Sequence, residues 1–419
     1  MNSRERVKAT INHIKPDKVP IDLGSTLVTG IQAGIYSRFK KALGLKKGKV
    51  KIYDPFQMLA EVEEEVRQRL GVDTYGIQLP ETMFGYKNEN WKPFKLFDGT
   101  EVLVPDNFNV NALDNGDLLQ FPNGDKNVPP SGKMPRGGHY FDILVRQEPI
   151  DENKLDPKEW VEQSFSRYNE EDIRFLEKQS KWYYHNTEYA LLGNFWGAGF
   201  GDIALVQGPN IAYPKGIRHP EEWLISMISR KNYIKDIFHY QYELQMENLK
   251  LYQEAVQDRI DVIVMSGTDF GAQNGPMISP EIYRELFKPF HEKMNNWIHS
   301  HTHWKTFYHT CGSILAFIDD FIEAGIDILN PVQLSAAHMN PEILKELYGK
   351  KIVFWGGGIN TQNTLPFGTP QEVKEEVNHL IKIFSRDGGY VFAPVHNIQS
   401  DVPVENLMVM FDETTGKSS

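Results

Sequence analysis

From residue 306 to residue 411 the chain alternates short apolar runs with longer stretches whose apolar residues recur at helical spacing. That alternation constrains the fold more than any other feature. Strands separated by single helices must pair in parallel, because a parallel crossover needs a connection of helix length. Residues 306–309, 326–329, 352–355 and 390–393 read as the strands. Between the first two, Ile314, Leu315, Phe317, Ile318, Phe321 and Ile322 recur as one helical face that stops at Gly325. Asn340-Pro341 supplies an N-cap and a first-turn proline for the next helix, which predicts Ile343, Leu344 and Leu347 inward and an end at Gly349. Thr369-Pro370-Gln371-Glu372 is a capping box, followed by Val373, Val377, Leu380, Ile381 and Phe384 on one face. Residues 403–411 read as a closing helix and 414–419 as a frayed tail.

Upstream, residues 20–23, 72–77, 189–193 and 261–265 are apolar runs of the same kind, which brings the count to eight. Eight parallel strands alternating with helices predict an α/β chain folded as a (β/α)8 TIM barrel. An open doubly wound sheet is the competitor, but its dinucleotide fingerprint is missing. Gly356-Gly357-Gly358 follows a strand yet opens a loop rather than a helix, and so reads as a close approach of backbones. Residues 81–149 break the alternation. They are rich in Gly, Pro, Asn and Asp, and Asp98-Gly99 between two β-prone runs is a hairpin signal. The expected organisation is therefore an N-terminal part of the barrel over 1–80, a β-rich insertion after the second strand over 81–149, and the remainder of the barrel over 150–413, in one domain. A length of 419 residues accommodates such a barrel.

Composition narrows the function classes. With 45 basic against 56 acidic side chains the formal charge is −11, which argues against nucleic acid as a partner. No apolar stretch is long enough to span a bilayer, and the start leads into no secretory apolar region, so a cytoplasmic protein without a membrane partner is expected. The single cysteine excludes a disulfide within the chain and leaves either an inert core thiol or a working thiolate.

Reactive groups of such a barrel sit at the C-terminal ends of the strands. Strand five ends at His309-Thr310-Cys311-Gly312 and strand eight at Val395-His396-Asn397, so two imidazoles and the only thiol fall on one rim. His309, Cys311 and His396 are donors that zinc prefers, and three protein ligands would leave a fourth position open, as in a catalytic site. A plainer reading keeps Cys311 as a small core hydrophobe. Asp269, at the end of strand four, is the candidate catalytic carboxylate, to orient or deprotonate a substrate or to serve as a reserve ligand. Equally, it could bond its neighbours' backbone amides. Gln333, Trp355, Phe270 and Asn397 are the candidate substrate-binding residues, with Trp355 and Phe270 forming an apolar mouth and rim packing as the alternative. Asp22 is expected as a buried structural acceptor. His299, His301 and His303 resemble a metal tract but precede strand five, which puts them on the surface at the opposite end.

The stretches Tyr308-His-Thr-Cys-Gly-Ser313, Gly325-Ile-Asp-Ile-Leu-Asn-Pro-Val-Gln333, Leu365-Pro-Phe-Gly-Thr-Pro370 and Ala393-Pro-Val-His-Asn-Ile-Gln-Ser-Asp-Val-Pro-Val-Glu-Asn406 carry a resemblance. On them the chain resembles the uroporphyrinogen decarboxylase superfamily, and within it the cobalamin-dependent methyltransferase branch. The opening, with Pro16-Asp17-Lys18-Val19-Pro20, is also similar. The resemblance implies a zinc site on His309 and Cys311, with His396 standing where that branch has a cysteine. It also implies methyl transfer to or from a small thiol, methoxy or methylated substrate. The corrinoid would come from a partner protein, because the Asp-x-His-x-x-Gly signature of a cobalamin-binding segment is absent here. The true decarboxylases carry an arginine-rich motif near the first strand for a porphyrin's carboxylates. Residues 24–31 contain no arginine at the matching place, so porphyrin decarboxylation is not implied. Decarboxylation of a small acid, another zinc lyase or hydrolase, and a non-catalytic binding module stand as alternatives.

Overall fold

Residues that alternate between helix-covered and inward faces must be apolar on both, and the strands of this chain are. Ala190–Asn194 and Val262–Ser266 are buried at every position, as parallel strands covered by helices should be. The computed structural model describes residues 1–45 and 47–416. Its main sheet has seven strands, in chain order Thr74–Ile77, Ala190–Asn194, Val262–Ser266, Lys305–His309, Ile328–Asn330, Val353–Trp355 and Tyr390–Val391. Each pairs in parallel with the next.

Residues 20–23 close the ring. Ile21 bridges Phe392 in parallel. Asp22 N donates to Phe392 O and Phe392 N to Pro20 O, both at 2.9 Å, while Asp73 N donates to Ile21 O at 2.8 Å. Both edges of the sheet thus bond to one segment, and the expected TIM-like barrel results. Inside it, Ala190, Leu192, Val262, Val264, Phe307, Ile328, Val353, Trp355, Val391 and Ala393 form a packed core of their own rather than a pore. Gly356 shows why the glycine run follows the seventh strand. A Cβ there would lie 2.3 Å from Pro331 O.

Among the described residues there are two further sheets of four strands each, built mostly from the segment after the second strand. Lys92–Lys95 and Glu101–Val104 form the expected hairpin around Asp98-Gly99. That hairpin joins Val50–Asp54 and Leu59–Ala60, upstream strands that no local sequence signal had marked. The other sheet comprises Val110–Ala112, Leu118–Gln120, Gly132–Met134 and Asp142–Ile143. Among the described residues, no helix is long and apolar enough to cross a membrane.

Two expectations need correction. On the helix Pro341–Tyr348, Leu344 and Tyr348 face the core, whereas Ile343 and Leu347 are 47% and 53% exposed. The i, i+4 pair 344/348 defines the inward stripe, and 343/347 lie about 100° round from it. The last helix, Val404–Thr415, includes Thr414 and Thr415, and residues 417–419 of the expected tail lie outside the described residues.

The seam of the barrel depends on Asp73. Its Oδ2 accepts from Ile21 N at 3.0 Å, and its Oδ1 accepts from Arg6 at 2.6 Å and from the Ser3 hydroxyl at 2.7 Å. Asp73 is 1% exposed and Arg6 7%. Asp73→Ala would leave the buried Ile21 N–H without its acceptor and Arg6 with Asp17 as its remaining carboxylate, so it is expected to destabilise the fold by about 1–3 kcal/mol. Urea unfolding measures this, and a loss under about 1 kcal/mol would remove the seam role.

Candidate metal centre

Strand alternation points His309 inward with Phe307, and the chain then turns sharply at the rim. Gly312 makes the turn at φ +85°, and a Cβ on it would lie 2.3 Å from the Gly271 carbonyl group. The loops after strands four and five therefore pass back to back. Ser313 N donates to Ala272 O at 2.9 Å, Phe270 N to Thr310 Oγ1 at 2.9 Å and Cys311 N to Asp269 Oδ1 at 2.6 Å. Gln333 Oε1 accepts from Gly312 N at 2.8 Å. So held, Cys311 Sγ lies 3.3 Å from His309 Nε2. The His396 ring stands 5.3 Å from the His309 ring, at 70° to it. One donor atom from each of the three residues falls within 4.8 Å of the others.

The donor set fits zinc. Bond lengths of about 2.3 Å to sulfur and 2.0–2.1 Å to nitrogen, at tetrahedral angles, put ligand atoms roughly 3.3–3.6 Å apart. The His309–Cys311 pair already has that spacing, and the His396 donor lies within 4.8 Å of both. Burial pushes both imidazoles down to about 4, with a hydrogen bond to Asn330 opposing this at His309 and the neighbouring His309 adding to it at His396. Both rings are thus neutral near pH 7 and keep a lone pair. Burial, with Asp269 nearby, pushes the Cys311 thiol up, so a thiolate here calls for a cation. His309 is 4% exposed while Cys311 and His396 are partly exposed, so the donors face the open mouth.

Asp269 sits beside the triad, its Oδ1 3.9 Å from His309 Nε2, and is a third exposed. It bonds a backbone amide, as the plainer reading held, and still reaches the mouth. Burial pushes its carboxyl up. Three of the four expected substrate contacts are placed elsewhere. Trp355 is fully buried inside the barrel, its indole N–H donating to Asp22 Oδ2 at 2.8 Å. Phe270 is 2% exposed, in an aromatic cluster with Tyr283, Phe287, Phe317 and Phe321 behind the strands. Asn397 is 1% exposed and pins the loop after strand one, accepting from Gly30 N at 2.5 Å and donating to Leu27 O at 2.8 Å. Only Gln333 stays at the rim, bracing the Cys311 turn. Asp22 is the buried acceptor expected, and His299 pairs with Asp327 at 2.7 Å away from the triad.

Sequence reasoning missed three residues. Asp202 approaches Asp269 closely enough to repel it, and burial together with that repulsion pushes its carboxyl up to about 7. Trp196 packs on the barrel interior at φ +60°. Its ring and the Asp202 carboxylate both come within 3.3 Å of where a Cβ on Gly267 would stand. Neither residue lies in a periodic stretch that could have marked it. The third, Asn330, bonds His309 Nδ1 at 2.5 Å. It ends a strand, and that signal was in plain view.

Comparison with known proteins bears on the same segment. Residues 216–416 match the family model described as uroporphyrinogen decarboxylase (URO-D). No curated protein matches the sequence. Among solved structures, a methyltransferase from Methanosarcina mazei is similar over 100% of both chains, with a TM-score of 0.52 and 13% identity. At that identity the likeness is one of fold. The matched segment, just under half of the chain, contributes all three converging donors, and over it the chain is similar to the uroporphyrinogen decarboxylase family.

Proposed function

We propose that the protein is a zinc-dependent methyltransferase that works with a corrinoid held by a separate protein, moving a methyl group to or from a small thiol, methoxy or methylated substrate. The observation that carries this reading is the convergence of His309 Nε2, Cys311 Sγ and a nitrogen of His396 at the barrel mouth. The superfamily match and the fold shared with a methyltransferase support it. Bound there, zinc would supply Lewis acidity to a substrate thiol or oxygen.

The chain's own residues do the rest. Asp269, beside the donors and a third exposed, would orient the substrate or hold its proton. Trp196, over the barrel interior, offers a flat apolar wall, the part first given to Trp355. Gln333 keeps the Cys311 turn rigid. A lone working thiol suits a reducing compartment, consistent with a cytoplasmic protein.

A second reading, decarboxylation of a small acid, is favoured by the description of the matching family. Against it, Asp269 stands at the mouth and when ionised would repel an anionic substrate, with Asp202, pushed up to about 7, adding to this above that pH. Free methylcobalamin separates the two. Incubated with the protein and a panel of thiols, methoxyaromatics and methylamines, it should be demethylated, or formed from cob(I)alamin, with at least one of them. Carbon dioxide release that survives a chelator, with no corrinoid chemistry, would replace methyl transfer by decarboxylation.

A further inference from the structure

We infer that Asn330 is the positioning residue that decides which nitrogen of His309 is offered to a metal. The consequence rests on the zinc reading, but the assignment does not. Asn330 is fully buried at the end of its strand. Its Nδ2 lies 2.7 Å from Trp355 O and its Oδ1 lies 2.5 Å from His309 Nδ1. A backbone carbonyl only accepts, so the amide NH2 must face Trp355. Turned the other way, the amide would set oxygen against oxygen.

The orientation of the amide fixes the proton on the ring. With Oδ1 facing it, Nδ1 must carry the hydrogen, and Nε2 must keep its lone pair. Nε2 is the atom 3.3 Å from Cys311 Sγ. The Trp355 carbonyl is itself held, because the Trp355 indole is tied to Asp22, which also accepts from Thr74 Oγ1 at 2.8 Å. Register reinforces the arrangement, since His309 and Asn330 are direct partners and Thr310 N donates to Asn330 O at 2.8 Å. An asparagine donates to the carbonyl and accepts from the ring at once. Aspartate would keep only the second contact, and leucine neither.

The test reads the tautomer in metal-free protein. Long-range proton–nitrogen correlation on protein labelled with 15N-histidine, with His309 assigned by its loss in His309→Gln, should show the hydrogen on Nδ1. Asn330→Leu should release that preference and weaken zinc binding about 10–100-fold in competition with a chelator. Asn330→Asp should keep the tautomer and most of the zinc affinity while lowering the unfolding midpoint, which separates positioning from simple packing. A hydrogen on Nε2 in the unsubstituted protein overturns the inference, whether or not the variants fold. So does an Asn330→Leu protein with unchanged tautomer and zinc affinity. A protein that shows the Nδ1 hydrogen yet takes up no zinc upholds the assignment and rejects the metal reading alone.

Discussion

Replacing His309 and Cys311 together by alanine is expected to strip the purified protein of zinc while the barrel stays folded. Both side chains stand at the rim, outside the packed interior of Leu192, Val264, Phe307 and their neighbours, so the loss should not collapse the core. The main structural penalty is Asn330 Oδ1 left without its partner, a cost of about 1–3 kcal/mol. One imidazole from His396 cannot hold the ion in place of three donors. Methyl transfer should then fall by at least ~10³-fold, since a bound Lewis acid supplies several kcal/mol and each 1.36 kcal/mol is tenfold in rate. Elemental analysis beside a thermal melt checks this. Stoichiometric zinc in the folded double variant would end the proposal for the triad.

Gly312→Ala should be a severely damaging addition of a single methyl group beside the site. The position is left-handed at φ +85°, and the new Cβ would meet the Gly271 carbonyl group at 2.3 Å. The backbone penalty alone is about 1–2 kcal/mol, and forcing the two loops apart breaks the bonds that aim the thiol. A total of ~3 kcal/mol or more is expected, together with weaker zinc binding. Gly137→Ala is the control, because Gly137 has φ +79° but nothing within 4 Å of the added carbon. It should lose only the backbone penalty and keep its zinc. Equal losses for the two variants in urea unfolding would show that the crossing of the loops does not matter.

The barrel was legible because fully buried strands announce themselves as apolar runs, and because eight of them alternating with helices admit few topologies. The triad was legible for a geometric reason. Strand ends of a parallel barrel share one rim, so residues 309, 311 and 396 could be brought together without coordinates. Side-chain direction at those ends was harder to read. Trp355 is in phase with Val353 and so points into the interior, not the mouth. Phe270 follows Asp269 and points the opposite way, into the helical layer. Asn397 likewise turns away from His396 to tie down Gly30. The pairing of Val50–Asp54 with Glu101–Val104 was illegible because such contacts depend on a distant partner rather than on local pattern.

The ring is joined where its last strand meets residues 20–23, and that joint is a short one, a single bridge with a few bonds around it. Such places breathe first, in the sense measured by amide hydrogen exchange. His396 hangs from the strand that forms one side of the joint, whereas His309 and Cys311 hang from the continuous middle of the sheet. A cation gripped by all three would tie the last strand, one side of that joint, to the middle of the sheet across the mouth. Deuterium uptake at Phe392 should therefore slow on metal binding more than at Val264, the ion steadying one side of the joint as well as serving its chemistry.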